Sequence, residues 1–319
     1  MPELFITLGI LIVIIAAVTG LSYYCFHRTF YVSRKEGKGN GEHDITEKVA
    51  DNFTPFHGKI GEWKREVEKL PRQDFEIKSF DGLRLKGVYY EYEKGAPIEI
   101  MLHGYRGNGK RDLCGGVIRA AKQGRSALVV DHRACGESEG NVVTFGINES
   151  RDCRAWIDLV TEKIDKDAKI ILTGISMGAA TVMITAGRDD LPENVVGVIA
   201  DCGYTTPREI IKKTAGEMGF PKDLTYPFIK LGGMLFGHFN VDELSPIEAM
   251  KKCRVPVIFI HGDRDDFVPY EMSERNCEAC AAERKRLVAI EGAAHGVAYP
   301  VNEEAYLKAL AEFFPEYSK

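Results

Sequence analysis

The sequence has no excess of positive charge and no basic stripe. It contains 42 lysine and arginine residues against 47 aspartate and glutamate residues, which gives a net charge of −5 at pH 7. Proteins that bind nucleic acid through its phosphates concentrate lysine and arginine on one face. The charge balance therefore argues against a nucleic-acid partner.

The sequence also lacks a cysteine pattern that would predict disulfides or a metal site. Its eight cysteines are scattered through predicted strands, helices and loops, as is expected of reduced thiols in a large domain. Cys277 and Cys280 form a C-x-x-C in a charged helical stretch, but no second pair lies at metal-site spacing. We therefore expect no metal here.

One long run lacks charged residues altogether. Residues 4–26 read LFITLGILIVIIAAVTGLSYYCF, and a bilayer-spanning helix needs about 20 such residues. Met-Pro-Glu before the run has no lysine or arginine, and no A-x-A site follows, so we favour an uncleaved anchor (residues 1–27) over a signal peptide. By the positive-inside rule, the basic residues that follow the run place the rest of the chain in the cytoplasm. They are Arg28, Arg34, Lys35 and Lys38.

Residues 28–71 are expected to connect this membrane anchor to the rest of the protein. Residues 32–43 are rich in glycine and lysine and are predicted to be a flexible linker. Apolar residues then recur at spacings of three and four, which predicts an amphipathic helix interrupted near Pro55 and Gly58. They are Ile45, Val49, Phe53, Phe56, Ile60, Trp63, Val67 and Leu70. We expect this helix to dock on the body of the protein. The alternative is that it lies on the membrane surface.

Strands and helices alternate along the chain from residue 98 onward, after a hairpin signal at Asp81-Gly82. This alternation predicts an α/β fold over residues 72–319, with a mostly parallel central sheet covered by helices on both faces. The predicted strands are 98–102, 127–130, 169–173, 195–200, 256–260 and 286–290. No strand is predicted between 203 and 253. Helices are predicted there over 207–215 and 246–252, and we expect this insertion to form a lid.

The motif Gly174-Ile175-Ser176-Met177-Gly178 joins a buried strand to a tightly packed helix. Its glycines let the chain turn sharply without a Cβ clash, which lifts the Ser176 hydroxyl out of the sheet. Strand, turn and helix are the context that a G-x-S-x-G nucleophile requires. Ser176 is therefore predicted to be a nucleophile rather than a capping residue of a βα turn.

A second G-x-S-x-G occurs at residues 136–140, GESEG. It does not follow a strand end, and no helical pattern begins after it. Glutamates flank Ser138 and would oppose an oxyanion. We interpret this copy as a structural loop.

A serine hydroxyl needs a base to take its proton and a carboxylate to orient that base. His295 follows the last predicted strand, and its small neighbours leave the imidazole free to reach Ser176. The carboxylate is expected in the loop after strand 256–260. Asp263, Asp265 and Asp266 all lie there, and spacing alone cannot choose among them.

These motifs resemble those of bacterial α/β-hydrolases, in the broad group that contains serine aminopeptidases, acyl-peptide hydrolases, small carboxylesterases and fermentation–respiration-switch-type proteins. The resemblance covers about residues 72–316 and rests on HGYRGN, DHRACGESEG, GISMG, HGDRDDFVP and GAAHG. In this group HG-x-x-D-x-x-VP carries the acid at its fifth position, which is Asp265 here. Ala134 stands where the commoner pattern has glycine, in a loop that is structural.

The resemblance implies acyl transfer through an acyl-enzyme, with no metal or organic cofactor. Ser176 would attack a carbonyl, His295 would move the proton, and Asp265 would hold His295. The backbone N–H groups of Tyr105 and Met177 would bind the oxyanion.

The substrate is not determined by these residues. We favour hydrolysis of a carboxylic ester of a small or amphiphilic substrate, because a membrane anchor and an apolar lid suit acyl or amphiphilic molecules. The acyl pocket would be lined from the lid by Phe228, Leu231, Met234 and Leu235, unless these residues only pack the lid onto the body. The alternatives are an aminopeptidase or acyl-peptidase, and a membrane-tethered regulatory protein without turnover. Removal of residues 1–30 is expected to leave a soluble, active enzyme.

Overall fold

A computed structural model describes residues 2–33 and 46–318 of the 319-residue chain. At its centre lies an eight-stranded sheet. The strands are β1 (Gln73–Lys78), β2 (Arg84–Tyr90), β3 (Ile98–Leu102), β4 (Ser126–Val130), β5 (Ile170–Ile175), β6 (Val195–Asp201), β7 (Val257–Gly262) and β8 (Lys285–Ile290). Their order across the sheet is β1-β2-β4-β3-β5-β6-β7-β8. β2 pairs antiparallel with β1 and β4, and the six strands β3 to β8 pair in parallel with one another, which confirms the predicted sheet.

Helices cover both faces of this sheet. The helices of the described residues are α1 (Pro2–Thr29), α2 (Thr46–Phe53), α3 (His57–Val67), α4 (Gly109–Asp112), α5 (Cys114–Lys122), α6 (Ile147–Leu159), α7 (Met177–Ala186), α8 (Pro207–Glu217), α9 (Lys222–Phe236), α10 (Pro246–Met250), α11 (Tyr270–Ala279), α12 (Ala298–Val301) and α13 (Glu303–Phe313). Every residue of β3 is buried. Ile100 of this strand packs in one core layer with α6 and α7, and Met101 packs in the other with α5 and α13. Successive side chains on a strand point to opposite faces, so a strand covered on both sides is largely apolar on both. The exception in β3 is Glu99, which is buried in ion pairs with Arg119 and Arg125.

The lid segment contains a helix that the sequence did not predict. Residues 222–236 form α9 although Pro227 lies inside it. Proline removes one backbone donor, but the missing bond lies near the start of the helix, and α9 is held by packing against α1 and α8. At the other end of the segment, α10 packs on α7 and buries Met250 in the core. Of the three helices in this segment, α8 and α9 therefore line the site described below and α10 does not.

The apolar N-terminal helix is joined to the lid. α1 is long and apolar enough to cross a membrane, and near a chain start a signal sequence passes the same test. Its first two thirds are exposed, whereas Ser22, Cys25 and Phe26 near its end are buried. The α1 and α9 backbones approach closely, because a Cβ added to Gly232 would lie 2.3 Å from the Ser22 carbonyl oxygen. The expectation that residues 1–30 are dispensable conflicts with this packing.

The predicted amphipathic segment docks on the body. It forms α2, a short 3₁₀ turn at Thr54–Phe56 and α3, so the predicted interruption lies near Pro55. The Trp63 ring of α3 stacks on Tyr299 at a centroid distance of 5.2 Å. The same ring packs so closely on Gly115 that a Cβ added to this glycine would overlap it. The predicted linker residues from 34 onward and Ile45 fall outside the described residues.

Candidate active site

Ser176 stands at a sharp turn between β5 and α7. Its backbone has φ 57° and ψ −118°, a conformation that costs free energy and clusters at functional sites. A Cβ on Gly174 would lie 2.1 Å from the Gly178 carbonyl oxygen, and a Cβ on Gly178 would lie 2.1 Å from the Leu102 carbonyl oxygen. Both glycines are thus required for the close approach of strand, turn and helix.

A chain of hydrogen bonds leads from Ser176 through His295 to Asp265. The Ser176 Oγ lies 2.9 Å from His295 Nε2, and His295 Nδ1 lies 2.7 Å from Asp265 Oδ2. All three residues are buried. The three residues come from the ends of three parallel strands, β5, β7 and β8, at the same edge of the sheet.

The structure distinguishes among the three candidate carboxylates. Asp265 Oδ1 accepts hydrogen bonds from the backbone N–H groups of Phe267 and Val268, at 3.0 and 2.8 Å, so that Oδ2 faces His295. Burial raises the pKa of Asp265, but the charge and the hydrogen bonds of the neighbouring imidazoles outweigh burial and hold the pKa well below its usual range. Asp265 is therefore an ionised acceptor.

Neither of the other two aspartates occupies this position. Asp263 Oδ1 accepts the Gly292 N–H at 2.7 Å and so ties the turn after β8 to the loop after β7. Asp266 is exposed. Among the three, Asp265 alone hydrogen-bonds to His295 in the described part of the chain.

A second imidazole, that of His261, also contacts Asp265. His261 Nε2 lies 3.0 Å from Asp265 Oδ2 and 2.8 Å from the Val268 carbonyl oxygen, and Nδ1 lies 2.6 Å from Ser273 Oγ. The carbonyl requires a donor at Nε2, so Ser273 donates to Nδ1. In the sequence, His261 lies at the end of a predicted strand before a glycine. Nothing in that pattern indicated that it would hydrogen-bond to Asp265 alongside His295.

The Cys202 thiol lies beside the Asp265–His295 pair. Ligand atoms of these three residues lie within 4.8 Å of one another, which is close enough to hold a metal ion. However, Asp265 and His295 already share a hydrogen bond, and burial and nearby carboxylates raise the pKa of Cys202 well above its usual value. A neutral thiol is a poor metal ligand, so these three side chains fit an Asp265–His295 hydrogen bond better than they fit a metal site.

Tyr105 and Met177, whose backbone N–H groups are proposed from the sequence to form the oxyanion hole, both line the cavity that contains Ser176. Met177 is the first residue of α7, and the first N–H groups of a helix have no partner within it. Tyr105 follows Gly104, where an added Cβ would lie 3.6 Å from the Ser176 Cβ. This loop is bonded to α1, because the Tyr105 hydroxyl donates to the Thr29 carbonyl oxygen at 2.6 Å.

A cavity of about 250 Å³ opens above Ser176. Its walls come from α1, from the lid helices α8 and α9, and from body residues that include Phe145 and Phe267. Of the four predicted lid residues, Phe228 lines the cavity. Leu231, Met234 and Leu235 do not, and Met234 and Leu235 are about half exposed. Their apolar character predicted a cavity lining, but it did not show where along α9 the cavity ends.

The second G-x-S-x-G is structural. Ser138 Oγ donates to the Asp131 carbonyl oxygen at 2.7 Å and accepts from the Lys86 N–H at 2.9 Å. Its hydroxyl joins β2 to the loop after β4, as the loop interpretation predicted.

The family is identified by a sequence match over the second half of the chain. Residues 144–319, which contain Ser176, Asp265 and His295, match the model of the prolyl oligopeptidase family. The chain belongs to the prolyl oligopeptidase family. This membership and the fold make it a serine hydrolase of the α/β-hydrolase superfamily, as the sequence motifs predicted.

Relatives of this prolyl oligopeptidase family member occur in several bacteria. It is 25% identical over 321 residues to the uncharacterized protein YqkD of Bacillus subtilis, covering 98% of this chain and 97% of that protein. It is 24% identical to the uncharacterized protein YfhR of Escherichia coli over 70% of this chain and 73% of that protein. The similarity to YqkD includes the N-terminal helix.

Solved structures share the fold of this family member. An esterase from Pyrococcus furiosus superposes with a TM-score of 0.66 at 20% identity, covering 80% of this chain and 94% of that chain. Est1E from Butyrivibrio proteoclasticus, solved with ferulic acid bound, gives 0.59 at 21% identity, covering 76% and 98%. At these identities the similarity establishes the fold alone.

Proposed function

We propose that the protein hydrolyses carboxylic esters through a covalent acyl-enzyme, with Ser176 as the nucleophile. The observation that carries this proposal is the buried hydrogen-bonded chain from Asp265 through His295 to the Ser176 hydroxyl, which ends at an apolar cavity. Serine is a poor nucleophile until an oriented base takes its proton, and this arrangement provides both base and orientation.

In the first half of the reaction, Ser176 Oγ attacks the ester carbonyl while His295 Nε2 takes the hydroxyl proton. Asp265 keeps the other imidazole proton on Nδ1 and stabilises the imidazolium that forms. The oxyanion of the tetrahedral intermediate accepts from the backbone N–H groups of Tyr105 and Met177, and one such donor contributes about 3 kcal/mol. His295 then gives its proton to the departing alcohol. In the second half, water attacks the acyl-enzyme by the same route.

An ester is favoured over a peptide by the residues that line the cavity. An aminopeptidase needs a carboxylate to bind the free amino group of its substrate, and no aspartate or glutamate lies among the described residues of the lining. Most of the lining is aliphatic or aromatic, which suits an acyl chain. The esterases among the solved relatives share this fold and are consistent with the proposal.

A peptidase remains the second candidate because of the family match. Arg28 is the charged residue of the described lining, and a guanidinium suits a carboxylate of a substrate rather than an amine. If the substrate is a peptide, we therefore expect an acyl-peptide that lacks a free amino terminus. The third candidate is a membrane-tethered protein of this fold that regulates without turnover.

We further propose that α1 is retained as a membrane anchor, with the hydrolase domain on the cytoplasmic side. Cleavage after the apolar run would remove Cys25 and Phe26 from the buried cluster that they form with α9. Retention is therefore favoured by packing as well as by sequence. The cytoplasmic orientation rests on the basic residues after the run.

The proposal is tested by labelling the full-length protein in detergent with a fluorophosphonate, which reacts with activated serines. We expect labelling to vanish in Ser176→Ala and to persist in Ser138→Ala, the matched variant in the second G-x-S-x-G. Panels of p-nitrophenyl esters, aminoacyl amides and acyl-peptides then separate esterase from peptidase. A folded wild-type protein that does not label would favour the regulatory candidate.

A further inference from the structure

The exposed part of α1 has the length of a bilayer core. Residues 2–21 are exposed almost throughout, whereas Ser22 is fully buried against the lid. Twenty helical residues extend about 30 Å, which matches a hydrocarbon core of about 30 Å. If these residues fill the bilayer, the folded body begins at the membrane interface with no linker between them.

The same end of α1 forms part of the cavity wall. Leu21, Tyr24 and Cys25 line the cavity that contains Ser176. The next part of the helix is bonded to the loop that carries the Tyr105 N–H, through the Thr29 carbonyl oxygen. The cavity is therefore built from the anchor and the hydrolase body together, and its wall on the α1 side lies directly at the interface.

The opening of this cavity is apolar. Leu21 and Tyr24 on α1 are 45% and 54% exposed. Phe220, just before α9, and Leu224, in its first turn, line the same cavity and are 43% and 66% exposed. A soluble enzyme that bound substrate from water would expose these side chains at a cost in free energy. If the exposed part of α1 fills the bilayer, these side chains lie next to the membrane interface and face the acyl and headgroup region of the bilayer instead of water.

The outer face of the lid continues this apolar surface. Met234 and Leu235 lie outside the cavity and are 50% and 47% exposed, and the Tyr23 ring packs edge-on against Phe236 at 5.1 Å. Tyrosines at this depth suit the aromatic belt of a membrane protein. The lid and the end of α1 thus present one apolar rim, formed by Leu21, Tyr23, Tyr24, Phe220, Leu224, Met234 and Leu235.

We propose that the substrates are membrane-resident amphiphiles with a long acyl chain in ester linkage, and that this chain enters the cavity laterally from the bilayer between α1 and α9. Leu21 and Tyr24 of the anchor then determine acyl-chain specificity. This inference rests on the proposed ester hydrolysis. It differs from that proposal because it assigns the transmembrane helix a part in substrate selection, beyond tethering.

The test uses full-length protein reconstituted in vesicles of phosphatidylcholine and phosphatidylglycerol. The two substrates are p-nitrophenyl palmitate, which partitions into the vesicles, and p-nitrophenyl butyrate, which stays largely in water. We measure kcat/KM for each and take the palmitate-to-butyrate ratio. Leu21→Trp narrows the opening, and its matched control is Leu11→Trp, because Leu11 is similarly exposed at 50% but lies on α1 away from the cavity.

We expect Leu21→Trp to lower the palmitate-to-butyrate ratio by about tenfold, which corresponds to excluding two methylene groups from an apolar wall. Leu11→Trp should leave the ratio unchanged. A second matched pair serves if Leu21→Trp does not fold. Tyr24→Ala should raise KM for palmitate, whereas Phe5→Ala should not, since Phe5 is also an exposed aromatic residue of α1, at 68%, but lies away from the cavity.

The outcomes separate the two proposals. Butyrate hydrolysis that depends on Ser176, with an unchanged ratio in Leu21→Trp and an unchanged palmitate KM in Tyr24→Ala, would overturn lateral access and leave the esterase proposal standing. Hydrolysis of neither ester by a folded protein would overturn the proposed function itself. An equal fall in the ratio for Leu11→Trp would mean that the anchor acts through the bilayer rather than as a cavity wall, which also overturns the inference.

Discussion

Replacement of Asp265 by asparagine tests the assigned acid most directly, because the structure dictates how the amide must sit. The backbone N–H groups of Phe267 and Val268 both point at Oδ1. An asparagine at this position keeps its carbonyl oxygen there, so that its NH₂ group replaces Oδ2 and donates toward His295 Nδ1. The imidazole proton then moves to Nε2, which faces Ser176. In this tautomer His295 cannot take the serine proton.

The magnitude follows from two contributions. The opposite amide orientation would restore the useful tautomer, but it gives up two backbone hydrogen bonds of about 1 kcal/mol each, so that the productive form is disfavoured about 30-fold. The variant also loses the charge that stabilises the imidazolium. Together we expect kcat to fall by about 10³ to 10⁴, which is the range seen when a triad carboxylate becomes an amide.

The assay is steady-state hydrolysis of p-nitrophenyl butyrate, with Asp263→Asn as the matched control. That variant should keep kcat within about threefold, because asparagine retains an oxygen to accept the Gly292 N–H. The pKa of Asp265 is held well below its usual range, so its carboxylate is ionised at every pH used for such assays. The loss should therefore persist unchanged from about pH 5 to 9. A folded Asp265→Asn variant that keeps more than a tenth of the wild-type kcat would refute the assignment.

Three further variants probe the surroundings of the site. His261→Gln should lower kcat about tenfold at unchanged KM, because Asp265 loses one hydrogen-bond donor. Steady-state kinetics measure both constants, and an unchanged kcat would contradict the role of His261 in positioning Asp265. Gly232→Ala should lower the melting temperature in detergent by several degrees, since the new Cβ meets the α1 backbone. Gly216→Ala should not, because its Cβ would make only an ordinary van der Waals contact, 3.9 Å from Lys222; equal melting temperatures would contradict the packing of α1 on α9. Asp242→Asn should speed limited proteolysis of the lid, because this carboxylate accepts hydrogen bonds from both α8 and α9. An unchanged cleavage rate would contradict a role of Asp242 in joining the two helices.

The sequence alone determined the sheet and the serine. Mostly apolar runs of four to six residues between helical patterns are enough to predict parallel strands, because strands covered on both faces are largely apolar on both. The two glycines around Ser176 predicted the turn, and the structure shows that an added Cβ at either position would overlap the neighbouring backbone. The G-x-S-x-G pattern lies within five adjacent residues, so it can be recognised without the tertiary structure, although the backbone that Gly178 approaches belongs to the remote residue Leu102.

The tertiary structure decided what depends on distance between remote segments. Three aspartates within four residues were equivalent by spacing, and only the fold shows that Asp265 alone among them faces His295. Nothing in the sequence indicated that His261 hydrogen-bonds to the same carboxylate, because this bond depends on how the loop that carries Asp265 folds against the end of β7.

The same is true of α1 and the lid. Hydropathy identified an apolar helix, but it could not reveal that Ser22 and Gly232, 210 positions apart, would meet, or that Leu21 would line the cavity of Ser176. An apolar side chain has the same tendency to leave water whether it enters lipid or a protein core. Composition therefore determines that the helix is buried somewhere, and only the packed structure decides against which surface.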